Sequence, residues 1–291
     1  MGKRTIEQGF GTFLTRLTPS ATETDSAKSH RDSINDCLKQ NYTLKNFWRT
    51  GSFGNGTSVS GYSDVDYFAC VETKDLKKKS YESLRILREK FEARFPKTSI
   101  KVTSPAVTLE FGKEDWEKHE IVLADYLKKE NGYEIYDIAD GNNGWMNASP
   151  DAHKGYIKQS DDKFNGKLRA LIRFIKAWKY YCDVPIKSFY LELRTTEYAL
   201  NEKYILYNFD IKGVLIHLKN KNLADIQDPM EVSGLIPACT DAQKITALSK
   251  IETAIERAKK AIDAEVEEKN IETAFDWWNK LFNGNFPSIN N

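Results

Sequence analysis

The sequence predicts an α+β fold in which a mixed sheet with helices occupies the first half of the chain and helices occupy the second. Two observations lead to this prediction. Short runs typical of strands are concentrated before residue 150, whereas segments with apolar residues three or four apart follow it. The 291 residues, 40% of them apolar and 29% charged, are enough for one large domain or two closely packed lobes.

Helices and strands are predicted to alternate in the first half of the chain. A helix is expected after Ser20, and Ser80 is expected to cap a second helix with apolar residues on one face. A glycine-rich turn, residues 51–64, joins the first two strands. The predicted strands cover residues 44–51 and 64–72, and three more are centred near residues 101, 108 and 121.

The second half of the chain is predicted to be mainly helical. Helical segments are expected over residues 163–183, 186–204, 240–269 and 271–282. We therefore expect a first domain of residues 1–160, with N-terminal helices, and a helical domain of residues 161–291. Because no flexible linker separates the two domains, they are expected to share an extensive interface with a cleft between them.

Composition and charge restrict the class of protein. Basic and acidic residues nearly balance, 43 against 42, so we expect no strong nucleic-acid binding surface. The four cysteines form no CxxC pair and lie at no zinc-ligand spacing from a histidine, and the four histidines are dispersed along the chain. No run approaches the ~20 apolar residues that span a bilayer, and no secretory signal is recognised. We expect a cytoplasmic protein without membrane contact.

Two acidic residues close the glycine-rich turn. Asp64 and Asp66 are two positions apart, so in a strand both carboxylates point to the same side. Carboxylates this close repel each other unless a cation lies between them, and Mg²⁺ prefers such hard oxygen ligands. A pair of metal ions ~4 Å apart can activate an attacking hydroxyl and stabilise a leaving pyrophosphate. A lone DxD sequence is common on surface loops, so the pair is informative only together with the turn before it.

The turn itself fits a phosphate group. Gly51 allows the backbone to approach a ligand closely, and the Ser52 hydroxyl can donate to a phosphate oxygen. If residues 53–59 open a short helix, its N-terminal amides would point at the same phosphate. A triphosphate site directly before a metal-binding strand is the order that phosphoryl chemistry requires. The turn and the acidic pair together predict a site for nucleoside triphosphates with Mg²⁺ or Mn²⁺.

The segments GSFGNGT, residues 51–57, and SDVD, residues 63–66, resemble the signature of the oligoadenylate synthase and cyclic GMP–AMP synthase group. More closely they resemble the bacterial relatives of that group, the CD-NTases of anti-phage signalling, over roughly residues 40–200. The resemblance implies a polymerase-β-like nucleotidyltransferase core and a nucleotide-binding role for Thr57. It also implies that ATP or other ribonucleoside triphosphates are joined into a cyclic di- or trinucleotide, or a short oligonucleotide, with release of pyrophosphate.

The resemblance implies a third carboxylate on a neighbouring strand. In the family this acid is followed by Val-Val-Pro-Ala or a similar run, and Glu120-Ile-Val-Leu-Ala is similar to that motif. Asp64, Asp66 and Glu120 would then be the metal ligands and catalytic residues. Leu123 stands where proline is usual, which leaves the register open, and Glu110 on the preceding strand is the alternative.

The resemblance also carries over to the helical half. Lys176 matches a lysine that reaches the donor triphosphate, and Ser188 and Phe189 match a pair that opens the next helix. At that position the aromatic residue stacks on the donor base, a contact worth ~1–3 kcal/mol in single-strand binders. The alternative is that Phe189 and Tyr190 are core aromatics. The role of Arg173 is left open.

These features favour an enzyme that makes a nucleotide second messenger. Its expected partners are nucleoside triphosphates, a downstream effector that binds the cyclic product, and a protein regulator. The alternative enzyme uses the same site on an RNA end, a small molecule or a protein hydroxyl, although the balanced charge disfavours RNA. A non-catalytic nucleotide-binding protein would be expected to have a damaged acidic site, whereas both Asp64 and Asp66 are present.

Overall fold

A mixed sheet forms one of two compact units in the computed structural model, which describes residues 2–112 and 117–290, with the backbone alone for residues 21–27. The sheet unit contains Pro19 to Tyr156 and returns for Asp228 to Gly234. The helical unit contains the segment before Pro19, the segment from Ile157 to Gln227, and the chain from Leu235 onward. The predicted α+β fold is confirmed, and the N-terminal helix that the sequence assigned to the first domain lies in the helical unit.

The bounds of the elements follow the apolar patterns of the sequence with some differences. The helices are α1 (Ile6–Leu17), α2 (Ala21–Asn41), α3 (Gly51–Asn55), α4 (Ser80–Arg94), α5 (Pro150–Asp162), α6 (Lys167–Tyr181), α7 (Ser188–Ala199), α8 (Tyr207–Asn220), α9 (Asp241–Val266) and α10 (Ile271–Leu281). The strands are β1 (Leu44–Arg49), β2 (Val65–Val71), β3 (Ser99–Thr103), β4 (Ala106–Phe111), β5 (Glu117–Glu130), β6 (Tyr133–Ala139), β7 (Trp145–Ala148), β8 (Ile226–Gln227) and β9 (Leu235–Ile236).

Several elements differ from the prediction. Helices α5 and α8 and strands β6, β7, β8 and β9 were not predicted, because their apolar patterns are short or interrupted. Strand β1 ends before Gly51, where a helix begins. Ser80 is the first residue of α4, and Lys79 occupies the N-cap position without a side-chain cap. The predicted capping role of Ser80 is therefore wrong.

The sheet of the sheet unit has seven strands in the order β1-β2-β5-β4-β3, with β6 paired to β5 and β7 paired to β6. Strands β2 and β5 are parallel, and the other neighbours are antiparallel. Because successive side chains of a strand point to opposite sides, β2 and β5 each contribute side chains to both faces of the sheet. One face, which we call the back face, packs its apolar residues against α2 and α4, and includes Tyr67 and Ile121. The other, the front face, has a smaller apolar cluster that includes Phe68 and Val122.

The helical unit is built around aromatic side chains. Phe10 and Phe13 of α1 lie within 4.6–5.7 Å, centroid to centroid, of rings from α6, α10 and the residues after α10. These rings are almost wholly removed from water, which is the main source of their stabilising contribution. Within residues 2–112 and 117–290, no helix combines the length and the hydropathy that a membrane-spanning segment needs.

Candidate active site

The acidic residues of the predicted metal site lie on and beside two neighbouring strands of the sheet unit. The register of the parallel strands β2 and β5 places Asp66 directly opposite Glu120. Since side chains alternate along a strand, both residues share the front face with Phe68 and Val122. Asp64 lies one residue before β2. The strand pairing therefore brings the DxD pair to the predicted third carboxylate, 54 residues further along the chain from Asp66.

The electrostatics of Glu120 show that these carboxylates act on one another. Burial raises the pKa of Glu120, and the nearby charge of Asp64 raises it further. A hydrogen bond with the Asp66 side chain and one from Thr108 act in the opposite direction, and the pKa remains above its usual value. The Thr108 hydroxyl lies 3.4 Å from Glu120 Oε1. Two carboxylates in such contact need a proton or a cation between them, because otherwise their charges repel.

This donor set fits a magnesium ion. Asp66 and Glu120 supply hard carboxylate oxygens from two paired strands, Asp64 lies just before one of them, and Mg²⁺ prefers such ligands. A bound cation would offset the repulsion of the Asp64 charge, which together with burial raises the pKa of Glu120. The contact between two acidic side chains is therefore the observation that makes the site suitable for a cation.

The glycine-rich turn passes directly over Asp66. The Thr50 N–H donates to the Asp66 carbonyl oxygen at 2.8 Å, and Gly51 follows with a φ of +55°. A β-carbon at Gly51 would lie 1.8 Å from Asp66 Oδ2, so the turn requires a residue without a side chain there. Ser52 is the next residue and is partly exposed. The structure thus places Gly51, and with it Ser52, beside the acidic cluster.

Thr57 stabilises this turn through contacts with the Ser52 carbonyl group. Its side chain is fully buried, its N–H donates to the Ser52 carbonyl oxygen at 2.8 Å, and its hydroxyl lies 3.4 Å from the same oxygen. The helix expected over residues 53–59 instead spans Gly51–Asn55, so it starts at the glycine itself. A direct contact between Thr57 and a nucleotide stays a prediction.

Glu110, the alternative third acid, has other partners. The side chain is 8% exposed and accepts hydrogen bonds from Ser99 Oγ and Lys101 Nζ, each at 2.8 Å. Lys118 Nζ lies 3.6 Å from its second oxygen. The hydrogen bonds from Lys101 and Ser99 lower the pKa of Glu110, in contrast to the raised pKa of Glu120. Two lysines already balance the charge of Glu110, which favours Glu120 as the metal ligand.

Thr108 was not identified from the sequence. It lies opposite Glu120 in the β4–β5 pairing and two residues before Glu110, so both β4 residues share the front face. The alternation within the segment AVTLEF, residues 106–111, is the signal that could have placed Thr108 beside the acids. Using that signal would have required the register between β4 and β5, which the sequence does not provide.

The remaining predicted site residues lie in the helical unit, on the adjacent helices α6 and α7. Lys176 is fully buried, and its Nζ donates to Glu192 Oε1 at 2.9 Å. Because Glu192 is itself 2% exposed, this is a buried ion pair. A contact between Lys176 and a triphosphate would require this pair to open. The donor-binding role of Lys176 stays a prediction.

Ser188 and Phe189 begin helix α7, as predicted. Both are partly exposed, and the Ser188 hydroxyl lies 3.1 Å from the Tyr180 hydroxyl. Tyr190 is the core aromatic of this segment, because it is 0% exposed and donates to the Ala224 carbonyl oxygen at 2.8 Å. Stacking of Phe189 on the donor base stays a prediction. Arg173 is also partly exposed, and burial lowers the pKa of its guanidinium.

Comparison with known proteins identifies one domain and several relatives. Residues 5–161 match the Second Messenger Oligonucleotide or Dinucleotide Synthetase domain. A probable cyclic nucleotide synthase of Bacillus cereus (strain VD146) is 26% identical over 252 residues, which represent 81% of this chain and 74% of the relative.

Two solved structures have a similar fold. Escherichia coli MS115-1 CdnC with ATP has a TM-score of 0.74 and 17% identity, over 97% of this chain and 98% of CdnC. CdnC has also been solved in a complex with HORMA-deltaN. Vibrio cholerae DncV, a cyclic AMP-GMP synthase solved with the linear intermediate 5′ pppA(3′,5′)pG, has a TM-score of 0.75 and 13% identity, over 99% of this chain and 98% of DncV. At sequence identities of 13–17%, the similarity to these two structures shows a shared fold only.

Proposed function

The chain belongs to the Second Messenger Oligonucleotide or Dinucleotide Synthetase family and is a nucleotidyltransferase with a polymerase-β-like fold. From this family membership we propose the product of the enzyme and the roles of its site residues. The resemblance to the CD-NTases is thereby confirmed. The proposed product is a cyclic di- or trinucleotide, or a short oligonucleotide, made from ribonucleoside triphosphates with release of pyrophosphate. The contact of Asp66 with Glu120 beside the Gly51 turn is the observation that supports this function best.

The chemistry assigned to the acids is phosphoryl transfer. Asp64, Asp66 and Glu120 would hold Mg²⁺, or Mn²⁺, which supplies positive charge for the triphosphate and for the attacking hydroxyl. The 2′- or 3′-hydroxyl oxygen of one nucleotide forms a bond to the α-phosphorus of another, and the bond from that phosphorus to the pyrophosphate oxygen breaks. The hydroxyl proton passes to a carboxylate of the cluster. A second round joins the ends of the linear product and closes the ring.

The turn and the helical unit are assigned to nucleotide binding. Gly51 allows the backbone close to the phosphates, and the Ser52 hydroxyl donates to a phosphate oxygen. Thr57 supports this function by holding the Ser52 carbonyl group. Phe189, a partly exposed residue, would stack on the donor base, and Ser188 would donate to the same nucleotide.

The first experiment is a synthesis assay with a matched pair of variants. The purified protein is incubated with four radiolabelled ribonucleoside triphosphates and Mg²⁺ or Mn²⁺, then treated with phosphatase. We expect a phosphatase-resistant product that Asp66→Asn abolishes and Asp36→Asn, at an exposed position of α2, leaves unchanged. Omission of one triphosphate at a time then identifies the bases. Product formation by Asp66→Asn at the wild-type rate would refute the metal assignment.

A second candidate function retains the site and changes the acceptor. RNA ends, small molecules and protein hydroxyls could each offer the attacking oxygen to the same acids. The balance of 43 basic against 42 acidic residues disfavours RNA. If the synthesis assay yields no product, transfer of a radiolabelled nucleotide to an RNA primer or to another acceptor would support this alternative.

The proposed setting is anti-phage signalling in the cytoplasm, with two kinds of protein partner. One is an effector that binds the cyclic product, and the other is a regulator of the synthase itself. The complex of CdnC with HORMA-deltaN supports the search for a regulator. Addition of a candidate regulator to the synthesis assay is expected to change the initial rate of product formation.

A further inference from the structure

Two histidines that are distant in the sequence meet at the back face of the sheet. His30 lies on α2, and Glu117 and His119 lie two residues apart on β5. Glu117 Oε1 is 2.9 Å from His30 Nδ1 and 2.7 Å from His119 Nε2. Each of the three side chains offers one possible metal-ligand atom, and these three atoms all lie within 4.8 Å of one another.

The surroundings hold these side chains in place. His119 is 0% exposed and Glu117 is 8% exposed, whereas the His30 side chain is 34% exposed and gives access from solvent. The Phe111 ring stacks on His30 with 4.1 Å between centroids, and Tyr67 lies parallel to His119 at 5.8 Å. Rings fixed in this way lose little conformational freedom when their nitrogens bind a ligand, so the group is preorganised.

We propose that His30, Glu117 and His119 bind a divalent transition-metal ion, with Zn²⁺ as the reference ion and water as the fourth ligand. Two imidazole nitrogens and a carboxylate oxygen are an established donor set for Zn²⁺, and they suit it better than Mg²⁺. Ligand atoms around tetrahedral Zn²⁺ at ~2.0–2.1 Å lie roughly 3.3 Å apart. The observed 2.7 and 2.9 Å separations from Glu117 therefore need to widen by about half an ångström, and the two imidazole nitrogens already lie within 4.8 Å of each other.

The alternative to metal binding is that the three side chains are joined by hydrogen bonds alone. In that arrangement His119 Nε2–H donates to Glu117, and His119 Nδ1, which has no hydrogen-bond partner among the described residues, carries no proton. A glutamine at position 30 could still donate to Glu117, but it would remove an imidazole ligand. The substitution His30→Gln therefore separates metal binding from hydrogen bonding.

The two cation sites lie on opposite faces of one strand. Glu117 and His119 point to the back face of β5, and Glu120 points to the front face. An ion at the back face would link α2 to the strand that carries Glu120. It needs no nucleotide and no activity, so it can be tested independently of the proposed synthase reaction.

The test uses full-length protein freed of metal by a chelator and titrated with Co²⁺ and Zn²⁺ in excess Mg²⁺. Mg²⁺ competes for the carboxylate site on the front face and only weakly for imidazoles. We expect one equivalent of Co²⁺ with the intense visible absorption of a four- or five-coordinate ion, its displacement by Zn²⁺, and a rise in melting temperature on Zn²⁺ addition. His30→Gln is expected to weaken Zn²⁺ binding by at least ~100-fold, since even outer-shell changes weaken metal sites 10–100-fold.

The matched control is His217→Gln, which removes a histidine that pairs with Glu197 at 2.8 Å in the helical unit. This variant should bind Zn²⁺ as the wild type does. Circular dichroism and the metal-free melting temperature verify that both variants fold. Absence of stoichiometric binding in the folded wild type, or equal binding by wild type and His30→Gln, would overturn the proposal and leave the hydrogen-bonded arrangement.

Discussion

Gly51 and Asp66 are packed so closely that a β-carbon at position 51 would lie 1.8 Å from Asp66 Oδ2. The glycine also has a φ of +55°, in the left-handed region that other residues rarely adopt. Two separate restrictions therefore apply at this position: the backbone angle and the space in front of the carboxylate. The second restriction links the turn to the acidic cluster.

Gly51→Ala is expected to displace Asp66 and to reduce the initial rate of product formation by about 100-fold or more, because misplacement by ~1 Å can cost that much. Gly61→Ala is the matched control. Gly61 has a φ of +73° and open space where a β-carbon would lie, so its substitution strains the backbone without touching the acids. Equal loss of activity in the two variants would show that backbone strain, and not the contact with Asp66, explains the effect.

The two candidate third acids can be separated by matched substitutions. Glu120→Gln is expected to lower kcat by about 100-fold or more, because it removes a charged ligand from the cluster. Glu110→Gln should change kcat by only a few fold, because Lys101 and Lys118 surround that carboxylate. The measurement is kcat for both variants at saturating Mg²⁺ and nucleotide. A large loss in Glu110→Gln alone would assign the metal to Glu110.

The buried pair of Lys176 and Glu192 predicts a large effect on stability. Lys176→Met leaves the Glu192 carboxylate buried without its partner, which is expected to lower the free energy of unfolding by about 3–5 kcal/mol. The double variant Lys176→Met/Glu192→Met should regain most of this loss, because neither charge then remains. Urea unfolding at pH 7 of the wild type, Lys176→Met and the double variant checks the expected order.

The same double variant tests the donor-binding role of Lys176. If the lysine contacts the triphosphate, the folded double variant should have a KM for the donor nucleotide raised about tenfold or more. A stable double variant with wild-type kcat and KM would restrict Lys176 to a structural role. Comparison of stability with kinetics is needed, because Lys176→Met alone could lose activity merely by unfolding.

Asp228 predicts a pH-dependent contribution to stability. The carboxylate is 1% exposed, accepts backbone N–H groups of Met230, Val232 and Ser233 at 2.8–3.1 Å, and lies 2.9 Å from His153 Nε2. Burial opposes its charge, but the hydrogen bonds from His153 and the backbone outweigh burial and lower its pKa. A lowered pKa means that this stabilisation is complete above the unfolded value of about 3.9 and is lost as the pH falls through the folded value.

Asp228→Asn is accordingly expected to lower the free energy of unfolding by about 1–3 kcal/mol at pH 7. The difference from the wild type should persist down to about pH 4 and shrink below it. Glu231→Gln, an exposed change in the same segment, should have little effect at any pH. Urea unfolding between pH 3 and pH 7 measures both variants. A difference that grew as the pH fell would contradict the assigned direction.

Local sequence patterns were sufficient for several parts of this protein. The predicted strand over residues 64–72 corresponds to β2 (Val65–Val71), which contains Asp66 and begins one residue after Asp64. Three- and four-residue spacing predicted α6, α7, α9 and α10 to within a few residues of their observed bounds. These features depend on neighbours along the chain, which a single sequence displays directly.

Assigning the site residues required contacts between residues that are distant in the sequence. Residue identity could not distinguish Glu120 from Glu110, because both are strand glutamates on the front face. The register of β5 against β2 and the lysines around Glu110 favour Glu120 as the third acid. Lys176 could be placed on a helix from its spacing, but only the packing of α6 against α7 showed that Glu192 is its partner.

The sequence by itself determined the α+β class, the helices and strands with regular apolar patterns, and the order of glycine turn and acidic strand that indicates nucleotide chemistry. Only the tertiary structure decided which acid faces Asp66, and that His30, 87 residues from Glu117, reaches the opposite face of the same strand. The physical reason is that periodicity specifies the face of an element to which a side chain points. Strand register and helix docking, which depend on contacts distant in the sequence, specify what that side chain meets.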